Sequence, residues 1–305
     1  MTINTYIIGT GFLSDNLNKK IINSKIYSAQ DFIKKINLIN KKKRKFNLII
    51  NSFFSTKRLS YFKSYETFAK KSIFEVTKIL DLLDPSIINK IIYTSSSSVY
   101  GSINDNMSLT DDNNRNIYAG FKIASEFLVK NYCNKNSIYL SICRIFNLYG
   151  KNNEFSIIEK LKNAKNNNQK ITIYNRGLSH RDFIHVDDVV KIYINILKNV
   201  SGSNLYDVGT GKGINVNEIV DKLKFNKKNF IYKKKRINEI FYSVADNKQL
   251  FKKIKNIKFK KIEDYLNINK ELKFKNILNK NYIENNLTGS VIYGAGYSGK
   301  KIAKQ

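Results

Sequence analysis

A glycine turn set between an apolar run and a helical pattern, close to the N-terminus, constrains this chain more than any other feature. Thr5-Tyr6-Ile7-Ile8 reads as a short buried strand, Gly9-Thr10-Gly11 breaks it, and residues 12–22 carry helical spacing at Leu13, Leu17 and Ile21. Small residues between strand and helix let the backbone turn tightly and approach a pyrophosphate, whose charge the helix N-terminus stabilises. The residues expected to form such a cradle are Gly9, Gly11, Phe12, Leu13 and Ser14. The third position of the fingerprint is Ser14 rather than glycine, so an ordinary strand–helix turn stands as the alternative. The acidic residue expected about 20 positions further on, to read a ribose, is Asp31. The same residue also suits a helix cap, which leaves NAD and NADP both open.

The alternation continues downstream. Strands are expected at 26–28, 48–50, 90–93 and 138–145, and helices at 32–39, 68–83 and 118–131, with Asp84-Pro85 ending the second of these helices. Strands alternating with helices specify an α/β fold, a Rossmann-type doubly wound parallel sheet. After Gly150 the alternation loosens and the composition turns rich in Lys and Asn. The expected organisation is a dinucleotide-binding domain over 1–150, a smaller substrate-binding lobe over 151–287, and a return to the sheet by segments such as 204–209. At 288–305, Gly294-Ala295-Gly296-Tyr297-Ser298-Gly299 follows a strand-like run. It reads as the opening of a second Rossmann-like unit without its remainder, or as a packed tail.

Charge and composition narrow the partners. Lys plus Arg number 54 against 24 Asp plus Glu, a net +30 that favours acidic partners. The excess is spread along the chain, in a background of abundant Asn and Ile with one Pro and no Trp, and only 41–45 and 233–236 are dense runs. These read as solvated surface, and no nucleic-acid motif accompanies them. Two cysteines exclude a disulfide framework, no apolar run approaches the ~20 residues of a membrane span, and no leader pattern opens the chain. A cytoplasmic protein is expected. Two histidines make a His-based metal site improbable, and no metal is expected.

Tyr118-x-x-x-Lys122 places a phenol and an ammonium on one helix face, where the charge favours the phenolate. The pair is preceded by Thr94-Ser95-Ser96-Ser97-Ser98-Val99-Tyr100-Gly101. It is followed by Arg144-Ile145-Phe146-Asn147-Leu148-Tyr149-Gly150 and by Arg181-Asp182-Phe183-Ile184-His185-Val186-Asp187-Asp188-Val189. In this order and spacing, from Gly9 to about Asp246, the chain resembles the extended short-chain dehydrogenase/reductases of the NAD-dependent epimerase/dehydratase type, which act on nucleotide sugars. The resemblance implies that Ser96 hydrogen-bonds the reacting sugar oxygen, that Tyr118 is the acid/base, and that Lys122 holds the nicotinamide ribose and lowers the Tyr118 pKa. It implies that Asn147 and Arg181 hold the substrate diphosphate, a task suited to a guanidinium fork. His185 reads as a packed core residue.

The resemblance also implies departures. Dehydratases of this type carry Asp-Glu directly after the catalytic Thr, where this chain has Ser97 and Ser98, and decarboxylating members need a Glu at the second of these positions. The 3,5-epimerase/reductases use a Cys there and a His after the N-x-Y-G turn, where this chain has Lys151-Asn152-Asn153. The usual Ala-Ala after the third strand is Phe53-Phe54, and the segment 30–45 is short. Ser, Tyr and Lys alone suffice for C4 epimerisation through a transient 4-keto sugar, the expected activity. They also suffice for reduction of a 4-keto sugar with NAD(P)H; a dinucleotide-binding sensor or scaffold is the non-enzyme alternative. A homodimer through helices 68–83 and 118–131 is expected from the family.

Overall fold

A computed structural model describes residues 3–51, 65–101, 117–223, 225–233, 240–255 and 257–266. The chain divides into two compact units, 1–260 and 261–305. The composition change near residue 150 thus falls inside the first unit. The GAGYSG segment and Phe53-Phe54 lie outside the described residues.

The first unit opens β1 (Asn4–Ile8), α1 (Phe12–Lys20), β2 (Ser24–Tyr27), α2 (Ala29–Lys41), β3 (Phe46–Ile50). Next come α3 (Tyr65–Ala69), a π-helical turn (Lys70–Phe74) and α4 (Glu75–Leu82), then β4 (Ile88–Ser96), a 3-10 turn (Ser97–Tyr100), α5 (Ile117–Lys135) and β5 (Tyr139–Ile145). The remainder contains β6 (Asn147–Tyr149), α6 (Ile157–Asn166), β7 (Ile171–Tyr174), β8 (His180–His185), α7 (Val186–Asn199), β9 (Asn204–Val208), β10 (Gly213–Ile214), α8 (Val216–Leu223), β11 (Phe230–Lys233), β12 (Tyr242–Ser243) and α9 (Lys248–Lys253). The second unit contributes α10 (Ile262–Tyr265). No described helix is long and apolar enough to cross a membrane. Among the described residues no cluster of His, Cys, Asp or Glu could hold a metal ion.

Six parallel strands in the order β2-β1-β3-β4-β5-β9 form the main sheet. Both faces are covered, so the central strands are mainly apolar, and all five residues of β3 are buried. Alternation sends Ile8, Leu48, Ile50 and Ile91 to one face, against Phe32, Ile36, Val76, Ile79 and Val129 of α2, α4 and α5. It sends Ile7, Ile49 and Ile92 to the other, against Leu17, Val189, Tyr193, Ile196 and Leu250 of α1, α7 and α9. A small sheet, β10-β8-β12 with β6 joined to β8, and the parallel pair β7-β11 make up the rest.

One interior charge ties the two halves of the sequence together. Lys90 of β4 is buried, and its Nζ donates to the carbonyls of Ile196 (2.7 Å), Leu197 (3.2 Å) and Val200 (2.6 Å) at the C-terminal end of α7. Those carbonyls have no partner within the helix, and a cation there also complements the helix dipole. Lys90→Met keeps the length of the side chain but leaves the carbonyls unmet. Urea titration is expected to show a loss of about 1.5–3 kcal/mol; an unchanged midpoint would mean that water meets these groups equally well.

Candidate active site

The glycine turn has the shape a pyrophosphate cradle requires. Gly9 and Gly11 stand at φ of 100° and 131°, backbone that side chains avoid. A Cβ added to Gly11 would meet no atom within 4 Å, so the approach to the turn is open. Gly11 is the N-cap of α1 and offers its first-turn N–H groups no side-chain acceptor. They are therefore free to meet an anion. The turn faces a cavity of about 1020 Å³, whose lining includes Gly11, Phe12, Leu13 and Ser14 on one side and Asn147 and Arg181 on the other. These features fit a dinucleotide phosphate at Gly11, Phe12 and Leu13.

Ser14, the apparent defect in the fingerprint, is buried and occupied. Its hydroxyl donates to the Gly9 carbonyl (2.5 Å) and accepts from Asn51 Nδ2 (2.7 Å). Asn51 Oδ1 in turn accepts the Thr94 hydroxyl proton, and Tyr193 Oη lies 2.8 Å from the Thr94 hydroxyl. Thr94 has one proton and gives it to Asn51, so Tyr193 is the donor in that last bond. The Thr94 carbonyl accepts from Lys122 Nζ at 2.8 Å. A continuous buried polar chain therefore runs from the glycine turn to the lysine of α5. Glycine at position 14 would have broken it.

Ser96, Tyr118 and Lys122 come together at the C-terminal end of β4. Ser96 ends the strand, and its hydroxyl accepts from the backbone N–H (3.2 Å) and the hydroxyl (3.0 Å) of Ser98. With both acceptor sites used, its own proton points to its remaining partner, Tyr118. Burial pushes the Tyr118 phenol up to about 12, and the Ser96 hydrogen bond opposes that rise. Lys122 is buried; its pKa is lowered to about 8 by burial, with the charge of Glu126 acting against the fall. The expected depression of the phenol by Lys122 is not what this geometry shows: the amine lies 5.1 Å from the Tyr93 ring centre and bonds to Thr94. Ser96, Tyr118 and Lys122 do not themselves line the cavity, whose lining includes Thr94, the partner of Lys122.

The other expected residues divide. Asn147 and Arg181 line the cavity, but their polar groups also serve the backbone. Asn147 Nδ2 donates to the Asp182 carbonyl (3.0 Å), and the Arg181 guanidinium donates to the carbonyls of His180, Phe241 and Ile240. Asp31 lies in the first turn of α2, where its N–H donates to Ser28 Oγ (3.1 Å) and its carboxylate accepts from the Ser28 hydroxyl (2.6 Å). In this structure Ser28 is the N-cap of α2, and Asp31 is its partner in the first turn and does not line the cavity. His185 is buried, with Nδ1 accepting the Asp187 N–H at the start of α7 (3.1 Å).

One organiser escapes sequence reading. Asp182 is fully buried, and its carboxylate accepts from Thr210 N (2.9 Å), Thr210 Oγ1 (2.6 Å), Gly211 N (2.8 Å) and Ala245 N (3.2 Å). It pins the β9–β10 turn and the segment after β12 around β8, and so fixes the strand that carries Arg181. A Cβ at Gly209 would stand 2.6 Å from Asp182 Oδ2, so glycine is needed there. Its neighbour Arg181 carried the obvious signal; nothing in the spelling of Arg-Asp distinguishes this carboxylate from a surface ion pair.

Two measurements follow from this geometry. Ser14→Ala orphans both the Gly9 carbonyl and the Asn51 amide, and should cost about 1–3 kcal/mol in chemical denaturation. For Lys122, the folded state holds its proton less tightly than the unfolded chain, whose lysine titrates near the ordinary 10.5. Between pH 8 and 10.5 the unfolded state binds more protons, so the penalty is full below pH 8 and fades as pH rises. The stability of Lys122→Met relative to wild type is expected to be greatest at pH 7 and to fall as melting scans move above pH 8. A gap independent of pH would show that the amine is not held at a burial cost.

Comparison with known proteins gives the geometry its family. A sequence model of the NAD dependent epimerase/dehydratase family matches residues 29–209. The dTDP-D-glucose 4,6-dehydratase of Dictyostelium discoideum is 30% identical over 199 residues, covering 59% of this chain and 45% of that protein. A putative UDP-glucose 4-epimerase of Methanocaldococcus jannaschii is 30% identical over 184 residues, 56% of this chain and 59% of that protein. The chain spans about half the length of the curated relatives it matches. Among solved structures, the Thermotoga maritima UDP-glucose 4-epimerase with UDP-glucose superposes with a TM-score of 0.72 at 17% identity, covering 90% of this chain and all of that one. MoeE5 in complex with UDP-glucuronic acid and NAD gives 0.70 at 19% identity, covering 87% and 97%. The structural likeness is one of fold; the family match spans more than half the sequence, and with it the chain belongs to the NAD dependent epimerase/dehydratase family.

Proposed function

We propose that the protein is an NAD(P)-dependent nucleotide-sugar epimerase that inverts C4 of its substrate through a transient 4-keto sugar. The observation that carries this reading is the hydrogen-bonded Ser96–Tyr118 pair with Lys122 one helical turn on, and no carboxylate, imidazole or thiol among the described residues lining the adjoining cavity. Such a set can move one proton and little else. Tyr118, once it has given up the proton that burial holds on it, takes the C4 hydroxyl proton and gives it back; Ser96, held by Ser98, turns its own proton from Tyr118 to the sugar oxygen. The glycine turn and α1 hold the dinucleotide, with NAD favoured by the family; when bound, the nicotinamide supplies hydride uptake and return. The ketone must turn over between these two events, and a cavity of about 1020 Å³ gives it room.

Ser97 and Ser98 speak against the dehydration of the Dictyostelium relative. That chemistry needs carboxylates after the catalytic hydroxyl, and here Ser98 is engaged with Ser96. Arg181 and Asn147 are proposed to hold the substrate diphosphate, since both line the cavity and a planar guanidinium fork suits phosphate oxygens. Asp31 is proposed as a ribose ligand only if it leaves Ser28. A homodimer is proposed through α3–α5, where Phe74 and Phe127 are 64% and 67% exposed.

Incubation with UDP-, GDP- and dTDP-sugars and chromatography of the products should give a C4 epimer without loss of water or net use of NADH. A dehydrated product would overturn the reading, and stoichiometric oxidation of NADPH would replace it by 4-keto reduction. Tyr118→Phe should lose about 10²–10⁴ in turnover with dinucleotide still bound. Arg181→Ala should weaken binding of a nucleoside diphosphate by about 1.5–3 kcal/mol in calorimetry; equal affinity at the same site would return Arg181 to a backbone clamp.

A further inference from the structure

The residues around the proposed Ser-Tyr-Lys set hold a second constellation, which the reaction as derived does not use. Glu126 follows Lys122 by four residues and Tyr118 by eight, so the three share one face of α5. Glu126 is buried, and its carboxylate receives both arms of the Arg144 guanidinium, Nε to Oε1 at 3.0 Å and Nη2 to Oε2 at 2.7 Å. Arg144 belongs to β5, the strand beside β4. The face of the same guanidinium lies 4.8 Å from the ring centre of Tyr100. Tyr100 closes the 3-10 turn that begins next to Ser96, and its hydroxyl donates to Asp207 Oδ1 of β9 at 2.5 Å. One side chain thus touches α5, which carries Tyr118 and Lys122, and the turn that follows Ser96 directly.

We propose that Arg144 and Glu126 are a positioning pair: Arg144 fixes α5 through the carboxylate and the 97–100 turn through the Tyr100 ring, so that Ser96 and Tyr118 stay within hydrogen-bond reach and Lys122 has an anion one turn away. The proposal rests on the reading of Ser96, Tyr118 and Lys122 given above. A planar, bidentate, stackable cation is needed at 144, which lysine cannot replace. Among the described residues the surroundings of Lys122 are otherwise poor in charge. Tyr93 on β4 and Tyr100 in the turn are neutral, Lys71 and Glu75 below α5 pair with each other at 3.4 Å, and Tyr118 completes the face. Glu126 is the carboxylate whose field opposes the burial of Lys122.

The test separates positioning from mere stability. In the full chain labelled with ¹³C-lysine, the Lys122 Cε resonance, assigned by its loss in Lys122→Met, is titrated without substrate. Wild type should titrate near pH 8. Glu126→Gln, which removes the charge and keeps the size, should titrate lower. Glu126→Asp, which keeps the charge but shortens its reach to Arg144, should titrate near wild type. Both variants should lose roughly 10–10²-fold in kcat with KM within a few-fold, as a misplaced constellation does. If Glu126→Gln does not fold because Arg144 is left unpaired, the double variant Glu126→Gln, Arg144→Met buries no orphan charge and takes its place. An unmoved Lys122 midpoint in Glu126→Gln overturns the proposal, as does wild-type kcat in either single variant or in the double variant. Because the titration needs no substrate, it stands or falls separately from the epimerase reading, which Tyr118→Phe decides.

Discussion

Thr94 is the point on which the site depends. Its side chain sits at the centre of a buried hydrogen-bonded chain to Asn51 and Tyr193, and its carbonyl holds Lys122. A polar group buried on β4, between two apolar layers, is costly unless every bond is made. Meeting that demand forces the end of β3, the glycine turn, α7 and α5 into fixed relation. The hydrophobic core places those elements to within a packing distance; the hydrogen bonds set the remaining tolerance.

The same logic explains which parts of the site were legible in the sequence. Parallel strands buried on both faces spell apolar runs, and the helices between them spell amphipathic ones, so the sheet and most of its helices could be read directly. Gly9 and Gly11 could be read because only glycine suits their backbone angles. Ser14 could not: a hydroxyl in a glycine position looks like decay until Asn51, far along the chain, is seen to donate to it. Asp31 illustrates the reverse error of emphasis, since its spacing suits a ribose ligand while a local hydroxyl, Ser28, already satisfies its carboxylate.

The second half was harder for a related reason. Apart from β9, expected at 204–209, its strands are two to six residues long and owe their places to side chains such as Asp182 and to partners more than 20 residues away, so no periodicity announces them. Arg144 and Glu126 were spelled plainly, yet their pairing depends on a helix crossing a strand and has no sequence signature. Motif spacing reports groups held by one element; it does not report groups held by the meeting of two.

The position of β9 has a consequence for how the protein is made. Five strands of the sheet are complete by Ile145, but the outer edge of β5 receives its partner only at Asn204–Val208, after an excursion of more than fifty residues. During synthesis, β5 therefore waits with an open row of backbone donors and acceptors, and the carbonyls that Lys90 needs have not yet emerged. An unpaired edge flanked by apolar strands is a template for a neighbouring chain. The exposure of the β5 edge is thus confined to one interval of translation, after which the shorter β9 becomes the edge of the sheet.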